Sequence, residues 1–554
     1  MKPLLKDLIR SALERARASG TLAIEEIPDP HVEVPKDREH GDLATNVALT
    51  LARAARRPPR EIAETLLSCI EDRDGVISST EVAGPGFINF VFSDDAWRRK
   101  LLDIVAAGDA YGPAPIGHGR RVQVEFVSAN PTGPLHIGHG RGAATGDALA
   151  RLLEACGYSV EREYYVNDAG RQMAVLGRSV RARYLELAGY TVAFPEDGYP
   201  GEYVGEIARE LLERDGRRWV DEPEDVAVEA MGRYAGERLL DRIRADLADF
   251  GIEFDRFTSE RGLREDGTVE QAVERLRQGG HLYEQDGALW FRATAFGDDK
   301  DRTVVKSDGE LTYFAADIGY HHAKYQRGFD VLIDVWGADH HGYVQRMRSA
   351  LEALGDDPER LHVVLVQMVN LTRDGVPVRM GKRTGEFVSL REVLDEVGAD
   401  LARFFFLMRK SDAQLDFDLE LARRQSAENP VFYVQYAHTR IAGIFRQAAE
   451  KGVVMPEPSS TVVSVLSNED EIGLIRLLAE FPEVAQAAAE AFEPHRVVFY
   501  AQRLAGEFHR FYTRNRCVSD DRDTTAARLL LVQAVKQVIG RALSLVGVSA
   551  PERM

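Results

Sequence analysis

Cysteine is nearly absent: Cys69, Cys156 and Cys517 are the three in 554 residues, far apart and in no metal-ligand spacing. This excludes a disulfide framework and a structural zinc site, and the expected setting is the reducing cytosol. Basic residues are in deficit, with 70 Lys and Arg against 89 Asp and Glu and a formal net charge of −19. Unselective binding to a phosphate backbone needs clustered cations, so a nucleic-acid partner is compatible only with a local basic face. No apolar run reaches the roughly 18 residues of a membrane-spanning helix, so no membrane partner is expected. Met1 to Gly20 places Leu4, Leu5, Leu8, Ile9 and Leu13 at helical spacing among basic residues. Asp7 and Glu14 in the same stretch speak against an organellar transit peptide, and the segment reads as the first helix of a folded domain. Internal repeats and low-complexity tracts are missing as well.

What is present divides the chain. An apolar content of 44% supports globular cores, and the length calls for roughly three or four of them. Residues 1–115 read as an α+β domain, with a helix, a loop over Val34–Asp42, a second helix through Leu51 and a strand over Phe87–Phe92. The Gly- and Pro-rich stretch Gly108–Gly119 is the expected linker. A β-α-β pattern begins at Arg121, with Val160, Tyr164 and Val166 on its second strand. It predicts an α/β domain over 116–425 built on a doubly wound, Rossmann-like parallel sheet. A charged helical insertion over about 170 to 300 is expected to interrupt that sheet, which resumes at Val331–Trp336 and Val363–Val366. Residues 426–554 read as all-α, with Leu529, Leu530, Leu531, Val535, Val538 and Ile539 forming one apolar face.

The most informative stretch runs from Glu125 to His139. Val122, Val124 and Phe126 alternate as strand residues do, and Pro131, Gly133 and Pro134 then force a tight exit. A helix follows, with Leu149, Leu152, Leu153 and Cys156 at helical spacing and Gly157 where a C-cap is expected. The amides at its N-terminus attract anions, His136 and His139 add donors to a phosphate undergoing displacement, and Gly138 and Gly140 let the backbone come close. Read blandly, the two histidines merely cap a helix. After the Val331 strand comes Trp336-Gly337-Ala338-Asp339-His340-His341-Gly342, at the carboxyl end where doubly wound sheets hold ligands. There Asp339 is an acceptor for ribose hydroxyls. Arg379-Met380-Gly381-Lys382-Arg383-Thr384-Gly385 is a basic, Gly-flanked loop.

His136-Ile137-Gly138-His139 resembles the signature of class I aminoacyl-tRNA synthetases. Its context, Glu-Phe-Val-Ser-Ala-Asn-Pro-Thr-Gly-Pro, resembles the arginyl-tRNA synthetase family. Arg379–Gly385 resembles the second signature, Lys-Met-Ser-Lys-Ser, with Arg379 in place of the first lysine and Gly381 in place of the serine. The resemblance implies that His136, His139 and Lys382 are catalytic. It further implies that Gly138, Gly337, Asp339, His340, Arg379 and Lys382 bind ATP with its Mg²⁺, and that Glu125, Asn130, Tyr313 and Asp317 bind L-arginine. Carboxylates and a phenol suit a guanidinium, which is costly to bury unless paired and fully hydrogen-bonded.

Two flanking regions carry the resemblance further. Gly84–Asn89 is similar to the segment that grips the tRNA D-loop, with Phe87 stacking and Asn89 reading a base edge; an ordinary turn and strand is the alternative. The 426–554 region is similar to the family's anticodon-binding domain. Its Arg510 and Arg514, set among Phe508, Phe511 and Tyr512, suit unstacked RNA bases, or else belong to a basic helix with its aromatics in the core. The implied activity is a ligase joining arginine to tRNA(Arg), acting as a cytoplasmic monomer. A tRNA-independent ATP ligase or nucleotidyltransferase of the same superfamily is the rival, together with a catalytically silent RNA-binding relative.

Overall fold

The computed structural model describes residues 1–373, 375–377, 388–426 and 428–554, with Arg38 described by its backbone alone. The N-terminal domain is built on an antiparallel sheet in the order Val32–Glu33, Leu43–Thr45, Phe87–Phe92, Ile77–Ala83. Strand periodicity puts Ile88, Phe90 and Phe92 on one face, each 2% exposed or less, beneath the helices Val47–Ala55 and Pro59–Cys69. Burying each Phe ring contributes about 1.5–3 kcal/mol. Phe87, Asn89 and Val91 share the opposite face.

The stretch expected as a linker is a docked connection. Tyr111 is buried, its hydroxyl donates to Leu478 O at 3.2 Å, and its ring lies 6.3 Å from that of Phe481.

Among the described residues the central sheet has five strands, all parallel, in the order Leu361–Val366, Val331–Gly337, Arg121–Glu125, Ser159–Val166, Arg256–Ser259. The chain first builds outward from Arg121–Glu125 and then returns to its other side, so the winding switches between Arg121–Glu125 and Val331–Gly337. Ligands bind outside the carboxyl ends of strands at such a point. The two faces of the sheet differ. Val122 and Val124 are fully buried under the helix Ile137–Ala155. The other face carries a polar lattice, in which Gln123 Nε2 donates to Glu163 at 2.6 Å and Arg327 also pairs with Glu163.

The expectation of a purely helical interruption over about 170 to 300 needs correction. Helices do fill much of it, including Arg171–Leu187 and Glu224–Asp249, but Arg256–Ser259 is the edge strand of the parallel sheet. Leu282–Gln285, Ala288–Phe291 and Arg302–Val305 form a further antiparallel meander. Its first turn is Asp286-Gly287, with φ of +52° and +76°, the backbone of a two-residue hairpin.

The C-terminal region is helical as expected, and the apolar face of Arg522–Leu545 is broad. Leu529, Leu530, Leu531 and Val532 are consecutive and fully buried. Helices Pro430–Glu450, Glu469–Glu490 and His495–Arg514 pack against it, and so does Asp94–Ala107. Gln533, Lys536, Gln537 and Ser544, at helical spacing, keep a narrow, partly exposed polar stripe.

One buried guanidinium joins the parts. Arg403, 1% exposed, pairs with Asp147 on the Ile137–Ala155 helix and donates to Phe250 O at 3.0 Å and Val546 O at 3.2 Å. Gly547 has φ +69°, and a Cβ there would lie 2.1 Å from Arg403 Nη2.

Candidate active site

At the carboxyl end of Arg121–Glu125 the chain turns more sharply than its prolines require. Val127 and Ser128 have φ of +69° and +42°, a conformation β-branched residues rarely adopt. Ser128 holds the turn: its Oγ donates to Glu125 Oε1 at 2.8 Å and accepts from Tyr165 N at 3.1 Å.

His136 is the N-cap of the Ile137–Ala155 helix, and the two histidines form a reciprocal capping box. Gly138 N donates to His136 Nδ1 at 3.1 Å, and His136 N donates to His139 Nδ1 at 3.2 Å. The rings stack with centroids 3.6 Å apart. Burial lowers the pKa of His136, and burial together with His136 pushes His139 down to about 3. Both imidazoles are therefore neutral at physiological pH. With Nδ1 accepting, each ring proton lies on Nε2, making both rings hydrogen-bond donors. The capping reading and the phosphate reading thus describe one arrangement: capping fixes the tautomer that donation requires. Gly138 is needed because a Cβ there would lie 2.9 Å from the His136 ring.

The strand next to Arg121–Glu125 brings Gly337, Asp339 and His340 to its own carboxyl end. The Asp339 and His340 side chains are 82% and 59% exposed, and His340 Nε2 lies 3.7 Å from Asp339 Oδ2. Arg379 and Lys382 lie outside the described residues. The segment Val388–Leu390 is tied to the histidine turn, with Leu390 N donating to Leu135 O at 2.7 Å, Ile137 N donating to Val388 O at 3.3 Å, and His136 bridged to Ser389.

The residues assigned to arginine do not all stand alike. Asp317 is half-buried and accepts from the Tyr343 hydroxyl; loss of water around the carboxyl raises its pKa to about 6, with Tyr343 and His321 opposing and Glu260 and Glu125 adding to the rise. Tyr313 begins the helix Tyr313–Gln326 and is 58% exposed. The Asn130 amide donates to Gln172. Glu125 is already engaged by Ser128 and by Lys324, a fully buried lysine that also reaches Asp334 Oδ1 at 2.7 Å.

Sequence reasoning missed Glu260, Tyr343, Tyr165 and Lys324. Glu260 is 2% exposed, follows the unrecognised edge strand, and is held by Arg264 at 2.6 Å. The Tyr165 hydroxyl is buried without a hydrogen-bond partner among the described residues, and its ring stacks on Tyr320 at 4.3 Å. Its proton is held by burial and by the charges of Glu260, Asp317 and Glu125. The signal for Glu260 was an acid at the end of a parallel strand; a lysine in a helix gave none.

The residues assigned to RNA lie on the flanking domains. Phe87 is half-buried and Asn89 is 6% exposed, so the base-edge reader is largely covered. On His495–Arg514, Phe508 and Phe511 are core residues, as the bland reading held, while Arg510 and Arg514 are 63% and 66% exposed and pair with Glu507 and Asp470. Tyr436 and Tyr512 reach the surface, with the Arg440 guanidinium 4.5 Å and 4.8 Å from their ring centres.

Comparison with known proteins bears on all three parts. Residues 3–92 match the arginyl tRNA synthetase N terminal domain, 101–415 the tRNA synthetases class I (R) catalytic domain, and 434–554 the DALR anticodon binding domain. The curated arginine–tRNA ligase of Syntrophotalea carbinolica is 54% identical over 554 residues, with 100% of both chains covered. That of Citrifermentans bemidjiense is 53% identical, again with 100% of both covered. Among solved structures, a putative arginyl tRNA synthetase from Campylobacter jejuni is 35% identical with a TM-score of 0.76, covering 84% of this chain and 100% of that one. The Thermus thermophilus arginyl-tRNA synthetase, 23% identical with full coverage of both chains and a TM-score of 0.76, shares the fold. With its three domains matched in order and its relatives aligned end to end, this chain belongs to the arginyl-tRNA synthetase family.

Proposed function

We infer that this chain ligates L-arginine to tRNA(Arg) in two steps, forming arginyl-adenylate and pyrophosphate from ATP and then esterifying the terminal ribose of the tRNA. The observation that carries the reading is an acidic site, half-buried Asp317 within the field of buried Glu260, in a chain whose signature turn offers two neutral donor histidines. A guanidinium is the group such a site accommodates, because it matches paired carboxylates in charge and fork geometry.

His136 and His139 donate from Nε2 to the α-phosphate as negative charge builds there, assisted by the amides of the helix N-terminus. Asp339 accepts from the ribose hydroxyls; Gly337 and His340 line the same edge. Lys382 meets charge on the departing pyrophosphate, and Arg379 clamps ATP before reaction. Mg²⁺ carried by the ATP substrate would neutralise part of the triphosphate's charge. Asp317 and Glu260 take the guanidinium, with Tyr313 alongside. Lys324 neutralises Glu125, whose remaining acceptor positions serve arginine together with Asn130. Residues 1–115 with Phe87 and Asn89, and 426–554 with Arg510 and Arg514, grip the tRNA on either side of the 116–425 catalytic domain. The protein needs no covalent intermediate of its own: positioning and charge stabilisation supply the rate.

Pyrophosphate exchange with each of the amino acids, with and without tRNA, tests the reading. Arginine-dependent exchange is expected, stimulated by tRNA(Arg). Exchange driven by another amino acid, or by arginine with no response to tRNA, would return the rival ligase to first place.

A further inference from the structure

Arg141, on the Ile137–Ala155 helix two residues after His139, has no exposed surface. Its guanidinium reaches three backbone carbonyls: Nη1 donates to Gln367 O and Ala413 O, both at 2.8 Å, and Nη2 to Lys410 O at 2.9 Å. Among the described residues no carboxylate pairs with it, and Nε is buried without an acceptor. Burial pushes its pKa down to about 10, against a smaller opposing pull from Asp412. A buried cation met only by dipoles is a costly way to fill space.

The acceptors show what that cost secures. Gln367 lies two residues before the strand Val369–Arg373, and Ala413 lies two before Leu415–Asp418; these strands pair in parallel. One planar group therefore grips the entries of both strands from the helix whose cap is His136. The Leu135–Ile137 turn is hydrogen-bonded in turn to Val388–Leu390. An aliphatic residue would satisfy none of the three carbonyls, and a lysine, a single point donor, cannot span two segments as a guanidinium fork does.

We propose that Arg141 is a positioning residue for adenylate formation: its guanidinium fixes the start of the signature helix, and with it His136 and His139, against the paired entries of Val369–Arg373 and Leu415–Asp418. The inference rests on the ligase reading above. The arginine pocket shares none of the segments Arg141 touches, so its geometry is independent of this clasp.

The test is Arg141→Lys in the full chain, assayed by tRNA-dependent pyrophosphate exchange alongside thermal unfolding. Displacing catalytic groups by about 1 Å costs on the order of 10²-fold in rate. The expected result is a kcat lowered by about 10- to 100-fold, a raised KM for ATP, an unchanged KM for arginine and a melting temperature close to that of the unmutated chain. In a background carrying both His136→Ala and His139→Ala the same substitution should cost much less, because both groups it positions are gone. Equal, additive losses in the two backgrounds would overturn the proposal, as would a KM for arginine that rises as much as that for ATP. If Arg141→Lys does not fold, Arg141→Gln is read in the same way; failure of both to fold makes Arg141 purely structural and overturns it. Exchange by the unmutated chain tests the ligase reading and the variant-to-unmutated ratio tests Arg141, so a chain inactive with arginine removes both, whereas an active chain indifferent to Arg141→Lys removes only the second.

Discussion

Lys324 and Asp334 meet at 2.7 Å beneath the central sheet, neither side chain with any surface exposed to water. Glu125 completes the group by accepting from the same ammonium, and His321 Nε2 lies 2.9 Å from the other Asp334 oxygen. Burial alone would raise the Asp334 carboxyl, but Lys324 and His321 outweigh it and hold it well below the ordinary range.

Lys324→Met should therefore leave two carboxylates buried without their cation. Breaking a buried pair by removing one partner costs about 3–5 kcal/mol, to be read as a lowered urea midpoint. Adding Glu125→Gln and Asp334→Asn should recover part of that loss, since the unpaired charges are then gone. A single Lys324→Met variant as stable as the parent would refute the account.

His136→Ala or His139→Ala should lower adenylate formation by about 10²–10³, the loss typical of one transition-state donor. Acid stability gives a second readout. His139 binds no proton in the folded chain down to about pH 3, whereas the unfolded chain takes one up near its ordinary value of 6.5. Stability contributed by this group is thus lost as pH falls from about 6.5 towards 3. His139→Ala should flatten the unfolding curve in that window, as acid titration of both proteins would reveal.

Asp317→Asn should raise the KM for arginine by the equivalent of about 2–5 kcal/mol and leave that for ATP nearly untouched. The folded pKa of Asp317 is about 6 against an ordinary 3.8, so the folded chain holds the extra proton between those values. Its contribution to stability declines as pH rises through that window, because the half-buried carboxyl must then ionise. Arginine-free Asp317→Asn should accordingly melt higher than the parent at pH 7.5. For the parent, kcat/KM for arginine should fall as pH drops through about 6. A flat profile there would assign the pocket's charge elsewhere.

Much of this frame was legible in the residues. Phe87–Phe92, Val331–Gly337 and Leu361–Val366 are runs of β-branched and aromatic residues, and the histidine turn lies where a strand pattern gives way to a helical one. Arg256–Ser259 was not legible, since an edge strand of four residues with one large apolar side chain is too short to show a period. Its loss hid Glu260, which takes its meaning from the end of that strand. The Asp286-Gly287 hairpin is legible in its dipeptide, which separates two strand-like runs, though the charged helical sequence around it masks the signal. Lys324 left no trace, because lysines in helices are ordinarily exposed and only the packed sheet reveals this one as interior.

Lys382→Ala should depress kcat for activation far more than ground-state ATP binding, since only interactions stronger in the transition state accelerate chemistry. Arg379→Ala should instead raise the KM for ATP. Exchange kinetics in the presence of tRNA separate the two. The reverse pattern would reassign the catalytic cation in this loop.

The guanidinium of Arg403 bears on how freely this enzyme's parts can be exchanged. It links the centre of the signature helix to carbonyls at Phe250 and Val546, and the backbone at Gly547 passes so close that no side chain fits there. A catalytic fragment cut near residue 425 would strip that guanidinium of one carbonyl and open its interior site to water. The tRNA-reading end is therefore not an interchangeable module. A chimera carrying a foreign helical domain would inherit a loosened catalytic helix unless it also brought a glycine and a carbonyl to the same place.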